Sequence, residues 1–297
     1  PPSQDSGGAP ILEICRTIAA RGHVIEFATL EGRANLVAAY PFVSAVHLVG
    51  RAVTPSEDRQ LYNKFSRWDN HEMIECKKFY DDQTYLAGVH SMPSPKPKPD
   101  SLVLVNSFWG LEPAKDVPPL LQPVGPLLSD GYTPLYDTTH NFLNTKNSVV
   151  YVAFGTHVIL TPEKVARLMR GLCCVLAQAN QHPSWLILEY APQRAVSGHP
   201  STTLFVTHAG PSSANEALFH GVPMVSMPFY GDQIQHNVRL VAAGVAKGVD
   251  KDTFTSAQLA STISAMMVDS DGELHIIFSL ERSAFVGVTA GRQIKKT

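Results

Sequence analysis

The residues best equipped for chemistry run Phe205-Val-Thr-His-Ala-Gly-Pro-Ser-Ser-Ala-Asn-Glu216, then Gly221-Val-Pro-Met-Val-Ser-Met-Pro228, then Asp232-Gln233. The apolar run Leu204 to Thr207 predicts a buried strand, and His208-Ala-Gly-Pro211 predicts a turn. Ser212 and Ser213 are expected to open a short helix that Gly221 closes, and Val222 to Met227 reads as a second apolar strand. A serine- and glycine-rich helix start just beyond a strand is an anion site. Its first-turn amides have no acceptor within the helix, and the helix dipole favours negative charge there. His208, at the same strand tip, adds a donor or a positive charge. Glu216, one turn into the helix, is placed to accept hydrogen bonds from sugar hydroxyls. Together these residues imply a nucleotide-diphosphate site that works without a bound metal.

Several elements must position this set. Pro10 to Ala20 has helical apolar spacing, with Pro10 suited to a first turn, and Val24 to Thr29 and Ala45 to Leu48 read as strands. Leu102 to Asn106 is another expected strand, and the proline-rich stretch Pro118 to Pro134 reads as an interdomain linker. Val149 to Phe154 is a continuous apolar run, as in a parallel sheet covered on both faces. Thr161-Pro162 opens a helix reaching about Asn180, Trp185 to Glu189 reads as a strand, and Ser256 is expected to cap a last helix. Strands alternating with helices imply doubly wound α/β structure with a ligand crevice at the strand carboxyl ends. Gly155-Thr156, Tyr190 to Gln193, His208 to Ser213 and Asp232-Gln233 all follow strands and should meet at one sheet edge.

Composition narrows the class. The chain has 297 residues, enough for two domains at ~150 residues each. A net charge of −2 with scattered Lys and Arg argues against a nucleic-acid partner. No apolar run reaches the ~18 residues of a membrane span. The four cysteines have no zinc or disulfide spacing, and the histidines form no ligand set, so no metal site is expected. Reduced cysteines and no apolar leader point to a cytoplasmic setting, with peripheral membrane association as a variant. No Gly-x-Gly-x-x-Gly follows a strand, which disfavours a dinucleotide dehydrogenase.

Residues 149 to 268 resemble the donor half of a family-1, UDP-dependent glycosyltransferase of the GT-B fold. Tyr190-Ala-Pro-Gln193, His199-Pro200, Phe205 to Glu216, Gly221-Val-Pro-Met224 and Asp232-Gln233 follow the order and spacing of that family's signature. Arg21 to Thr29, Leu104 to Pro113 and Pro123-Val-Gly-Pro126 resemble parts of its N-terminal domain. The Ala-Gly-Pro after His208 is closer to fungal or animal members than to plant ones. The resemblance implies two Rossmann-like doubly wound domains facing a cleft. It divides the chain into an acceptor-binding domain at 1–126, incomplete against the family pattern, a linker at 127–146, a UDP-sugar donor domain at 147–283 and a C-terminal segment at 284–297.

It also implies roles. Tyr190 would stack on uracil, with Gln193 beside the base and ribose. Glu216 would hold the ribose hydroxyls. Thr156, His208, Gly210, Ser212 and Ser213 would cradle the diphosphate, and Asp232 and Gln233 would bind the transferred sugar. The implied partners are a UDP-sugar donor, with glucose expected, and a small lipophilic acceptor such as a phenolic, flavonoid or sterol. The implied reaction is an inverting transfer with neither cofactor nor metal. The competing readings are a noncatalytic nucleotide-sugar binder and a sterol or lipid glycosyltransferase at a membrane surface.

The chain departs from the family pattern in two places. The general base of the family is a histidine in a turn before the first helix. Here the stretch reads Ser6-Gly7-Gly8-Ala9-Pro10, so no catalytic residue is assigned. His23, His157 and His199 are expected to be structural, and Phe108 and Trp109 to pack between domains. Asn180 to Trp185 is also too short for the strand and helix that precede Tyr190 in the family.

Overall fold

A computed structural model describes residues 9–52, 54–57, 59–60, 102–113, 116–129, 131–155, 157–178 and 185–270. The chain forms two compact units, Pro1–Asp130 and Gly131–Thr297.

In the first unit, helix α1 (Ala9–Ala19) precedes strands β1 (Ile25–Leu30) and β2 (Val43–Gly50), which pair in parallel. Leu12, Val37 and Tyr40 form a small core against Phe27, Phe42 and Val43. Strands β3 (Val103–Val105) and β4 (Leu121–Pro123) form a second parallel pair. Thus the proline-rich stretch holds a strand. Among the described residues β4 pairs with β3 alone, so the missing N–H of Pro123 breaks no ladder on a second side.

The second unit opens with helix α2 (Asp137–Asn144), within the stretch expected as linker. Leu143 is its buried anchor, and its carbonyl accepts a bond from Ser201 Oγ. The sheet is four-stranded and parallel, in the order β5 (Val149–Ala153), β6 (Thr202–Thr207), β7 (Met224–Ser226), β8 (Ala246–Gly248). Leu204 and Val206 on one face of β6 pack with Val225 against helices α3 (Pro162–Gln178) and α7 (Ser256–Ser270), through Leu168, Leu172, Leu259 and Ile263. Gly171 allows this pair of helices to approach closely, since a Cβ there would meet Leu259 Cδ2 and the Ser256 carbonyl at 3.0 Å. By strand alternation Phe205 turns to the other face, where it stacks on Tyr151 at 4.9 Å between ring centroids.

Three expectations are corrected. Trp185 to Glu189 forms no strand, and Ile187 is 80% exposed. A strand persists only where a neighbour takes its ladder bonds, and β5 pairs with β6 alone among the described residues. The cap of α7 is Thr255, whose Oγ1 accepts the Gln258 amide, whereas Ser256 Oγ donates to the Arg167 carbonyl. Nor do Ser212 and Ser213 cap their helix. Helix α5 (Pro211–His220) has Gly210 at its N-cap without a side-chain cap bond, and Pro211 sits in its first turn. Gly221 closes it in the left-handed conformation (φ 68°), as expected.

Candidate donor site

The parallel register brings the critical turns together. Ala153 pairs with Thr207 and Thr207 with Ser226, so β5, β6 and β7 end side by side. Gly155, His208 and the loop leading to Asp232 therefore leave the sheet at one edge. Thr156 lies outside the described residues.

His208 is wedged between two glycines. A Cβ at Gly155 would stand 2.9 Å from its Cε1, and one at Gly210 would stand 2.3 Å from its Nε2. Only glycine at both positions leaves the imidazole where it is. Its Nδ1 is buried and has no hydrogen-bond partner among the described residues. Burial, assisted by the nearby His157, pushes the pKa of His208 down to about 4. Without ligand the ring is therefore neutral near pH 7 and offers an N–H donor.

The turn after His208 carries strain. Ala209 is the non-glycine residue with positive φ (63°) among the described residues, a conformation costing ~1–2 kcal/mol. His236 Nδ1, 3.0 Å from the Ala209 carbonyl, holds it in place from the buried side. Helix α6 (Asp232–Ala242) supplies His236, together with Asp232 and Gln233. Sequence reading passed over His236. Its signal was helical spacing, because His236 falls three residues after Gln233 on the buried face.

Beyond the turn, α5 begins. Its first internal bond runs from the Ala214 amide to the Gly210 carbonyl. The amides of Ser212 and Ser213 precede that closure and stand at the positive end of the dipole. Ser213 is buried and Ser212 half-buried.

One turn further on, Glu216 accepts a bond from Gln193 Nε2 at 2.7 Å. Burial pushes its carboxyl pKa up, opposed by the Gln193 bond and the Arg194 charge. Helix α4 (Gln193–Ser197) carries both partners. Tyr190, 45% exposed, keeps a phenol pKa raised by burial and by its neighbours Tyr136 and Glu216. An exposed ring beside a half-buried carboxylate suits a base-stacking platform next to a hydroxyl acceptor.

Asp232 and Gln233 divide their work. The Oε1 of Gln233 accepts from the amides of Phe229 and Tyr230, at 2.9 and 3.3 Å. Both lone pairs of that oxygen are thereby used, and only its NH2 can face a ligand. Asp232 is exposed at the first turn of α6.

Residues 94–276 match the family described as UDP-glucoronosyl and UDP-glucosyl transferase. The chain belongs to that family. This UDP-glycosyltransferase is 30% identical over 428 residues to the UDP-glycosyltransferase FPY2 of Fusarium mangiferae, covering 95% of this chain and 78% of the relative. It is 31% identical over 414 residues to a UDP-glycosyltransferase of Talaromyces amestolkiae, covering 89% and 78%. Both alignments are far longer than the 297 residues of the chain, so these relatives carry internal stretches with no counterpart here. Among solved structures, that of Arabidopsis thaliana UGT89C1 complexed with UDP-L-rhamnose superimposes with a TM-score of 0.64 at 16% identity, covering 95% of this chain and 92% of that one. The fold is therefore GT-B, as the motif order implied, and the activity is that of a UDP-sugar glycosyltransferase.

In this UDP-glycosyltransferase the donor residues named from sequence share one unit, apart from the undescribed Thr156. His208, Gly210, Ser212, Ser213 and Glu216 follow one strand. Gln193 joins them through Glu216, and Asp232 and Gln233 join through His236. Gly7 and Gly8, where the family's base is expected, lie outside the described residues. No group of acidic, His and Cys side chains suited to a metal occurs among the described residues. No helix among them is long and apolar enough to cross a membrane.

Proposed function

We propose that the protein transfers glucose from UDP-glucose to a hydroxyl of a small lipophilic acceptor, such as a phenolic, a flavonoid or a sterol, with inversion at the anomeric carbon and without a metal. The observation that carries this reading is the setting of His208: a neutral imidazole locked between Gly155 and Gly210, beside the start of α5. The acceptor oxygen attacks from the face opposite UDP, and the bond from the anomeric carbon to the diphosphate breaks. Negative charge then grows on the leaving phosphate. An N–H donor and first-turn amides that are already oriented favour that charge more as it develops, which lowers the barrier rather than merely tightening binding. The dipole supplies about 0.3–2 kcal/mol, so orientation of both substrates and a general base supply the rest. Glu216 and Gln193 hold the ribose, Tyr190 carries uracil, and Asp232 with the Gln233 amide binds the sugar. Metal independence is supported by the chemistry of this donor set, which offers amides and an imidazole to the diphosphate.

The test has three arms. UDP should raise the melting temperature and NAD should not. UDP-glucose with a panel of phenols, flavonoids and sterols should yield a β-glucoside, identified from its anomeric proton coupling. Turnover should survive EDTA. UDP binding with no product from any donor and acceptor would support the noncatalytic reading that the glycines at 7 and 8 suggest. An α-linked product or loss of turnover in EDTA would overturn the proposed chemistry.

A further inference from the structure

Arg194 lies next to Gln193 in α4, and its guanidinium sits between two rings. Its Cζ is 4.6 Å from the Tyr132 centroid and 5.1 Å from the Phe219 centroid. Phe219 belongs to α5, three residues beyond Glu216, so the stack places the cation within one helical turn of that carboxylate. Tyr132 belongs to the segment ahead of α2. The arrangement thus ties three segments together around one fixed charge. We infer that Arg194 is a positioning residue for donor binding: held between Tyr132 and Phe219, it fixes the Gln193–Glu216 pair in the form that accepts ribose hydroxyls. This rests on the reading of Glu216 as the ribose acceptor.

The physical need is plain. A part-buried carboxyl tends to take a proton, and a protonated carboxyl is a poorer acceptor for two hydroxyls. The Gln193 bond and the Arg194 charge oppose that tendency. A lysine would supply the charge, but only a planar guanidinium stacks on both rings. The other ionisable groups facing Glu216 are Tyr151 and Tyr190, both raised above the usual phenol range and so uncharged near neutral pH. His220, next along α5, lies edge-on to Phe219 at 5.0 Å and against Gly198.

The experiment is calorimetric titration of UDP, and of 2′,3′-dideoxy-UDP, between pH 5.5 and 8. Wild type is compared with Arg194→Met, Arg194→Lys and Glu216→Gln. Arg194→Met should move the acid limb of UDP binding to higher pH, weakening binding roughly three- to tenfold at pH 6 relative to pH 8. It should leave the dideoxy nucleotide unaffected. Arg194→Lys should keep the wild-type pH profile with weaker binding throughout. Glu216→Gln should weaken UDP and abolish the Glu216 limb. If Arg194→Met weakens both nucleotides equally with an unmoved pH profile, the inference is overturned while the ribose reading stands. If Glu216→Gln binds UDP like wild type, the ribose reading itself fails, and the inference falls with it. Should Arg194→Met show no cooperative melt, Phe219→Leu loosens the same charge and must shift the limb in the same direction, or the inference is wrong.

Discussion

The two units treat their sheets differently. In the second, β6 is interior: Leu204, Phe205 and Val206 are 0% exposed, with strands on both sides. In the first, β2 leaves Leu48 and Val49 each 56% exposed, and the described strands form two separate pairs. This buried strand ends at Thr207 and leads directly into His208. A donor 1 Å out of place loses much of its effect on a transition state, so an anion site belongs beyond an interior strand. The exposed pairs of the first unit impose no such rigidity on the loops at their ends. On the proposed reading, burial of β6 is what fixes the site beyond it.

The sharpest way to break this comparison is to cut both strands. Phe205→Ala removes a fully buried ring that stacks on Tyr151, and should destabilise by about 3–5 kcal/mol. Leu48→Ala removes a side chain that is already largely in water, and should change stability by about 0.5 kcal/mol or less. Urea unfolding of each variant measures both. Equal effects would show that the two sheets are not distinct in the way described.

The next test compares two histidines. His208→Ala removes the donor between the glycines and should lower kcat by about 10²–10³-fold, more than it weakens acceptor binding. His47, whose Nε2 lies 2.8 Å from Glu26 Oε2 on an exposed strand, should give an alanine variant with unchanged kcat. Steady-state kinetics with UDP-glucose decides. An unchanged kcat in His208→Ala removes the role assigned to it.

Acid titration sharpens the same contrast. His208 is held to about 4 by burial, so the folded protein refuses a proton that the unfolded chain accepts near pH 6.5. Its contribution is therefore fully present above pH 6.5, is lost as pH falls toward 4, and changes no further below that. The loss should be on the order of 2–3 kcal/mol. His208→Gln should flatten this part of the curve of melting temperature against pH. Wild type and variant falling in parallel between pH 6.5 and 4 would mean that the ring is not held neutral.

The sequence was most legible where local chemistry and tertiary packing agree. Leu204 to Thr207, the Gly221 cap and Pro162 each specify their element within a few residues, and the helices and strands around them form as expected. Motif order identified the family, since Tyr190, Gln193, His208 and Glu216 keep their spacing whatever lies between. Trp185 to Glu189 shows the limit. Its composition suits a strand, yet strand formation depends on a neighbour that no local pattern reveals. His236 shows another: its partner is a backbone carbonyl 27 residues away, and a carbonyl has no sequence signature. The protonation state of His208 was hidden for the same reason, because burial is set by the packing of Gly155 and Gly210 around it.

The smallest expected effect separates the two glycines of that packing. Gly210 has φ −60°, so alanine meets no backbone strain there, and its only difficulty is the 2.3 Å approach to His208 Nε2. Gly155 has φ +68°, so alanine there adds about 1 kcal/mol of strain to a 2.9 Å approach at the other side of the ring. Gly210→Ala should therefore displace the imidazole at little cost in stability, weakening UDP binding about three- to tenfold with a nearly unchanged melting temperature. Gly155→Ala should weaken UDP less and lower the melting temperature more. The pair separates ring position from backbone conformation, which no substitution of His208 itself can do. If both variants lose stability without losing UDP affinity, the glycines serve the turn alone. The interior strand would then end in a well-packed corner rather than in a phosphate site.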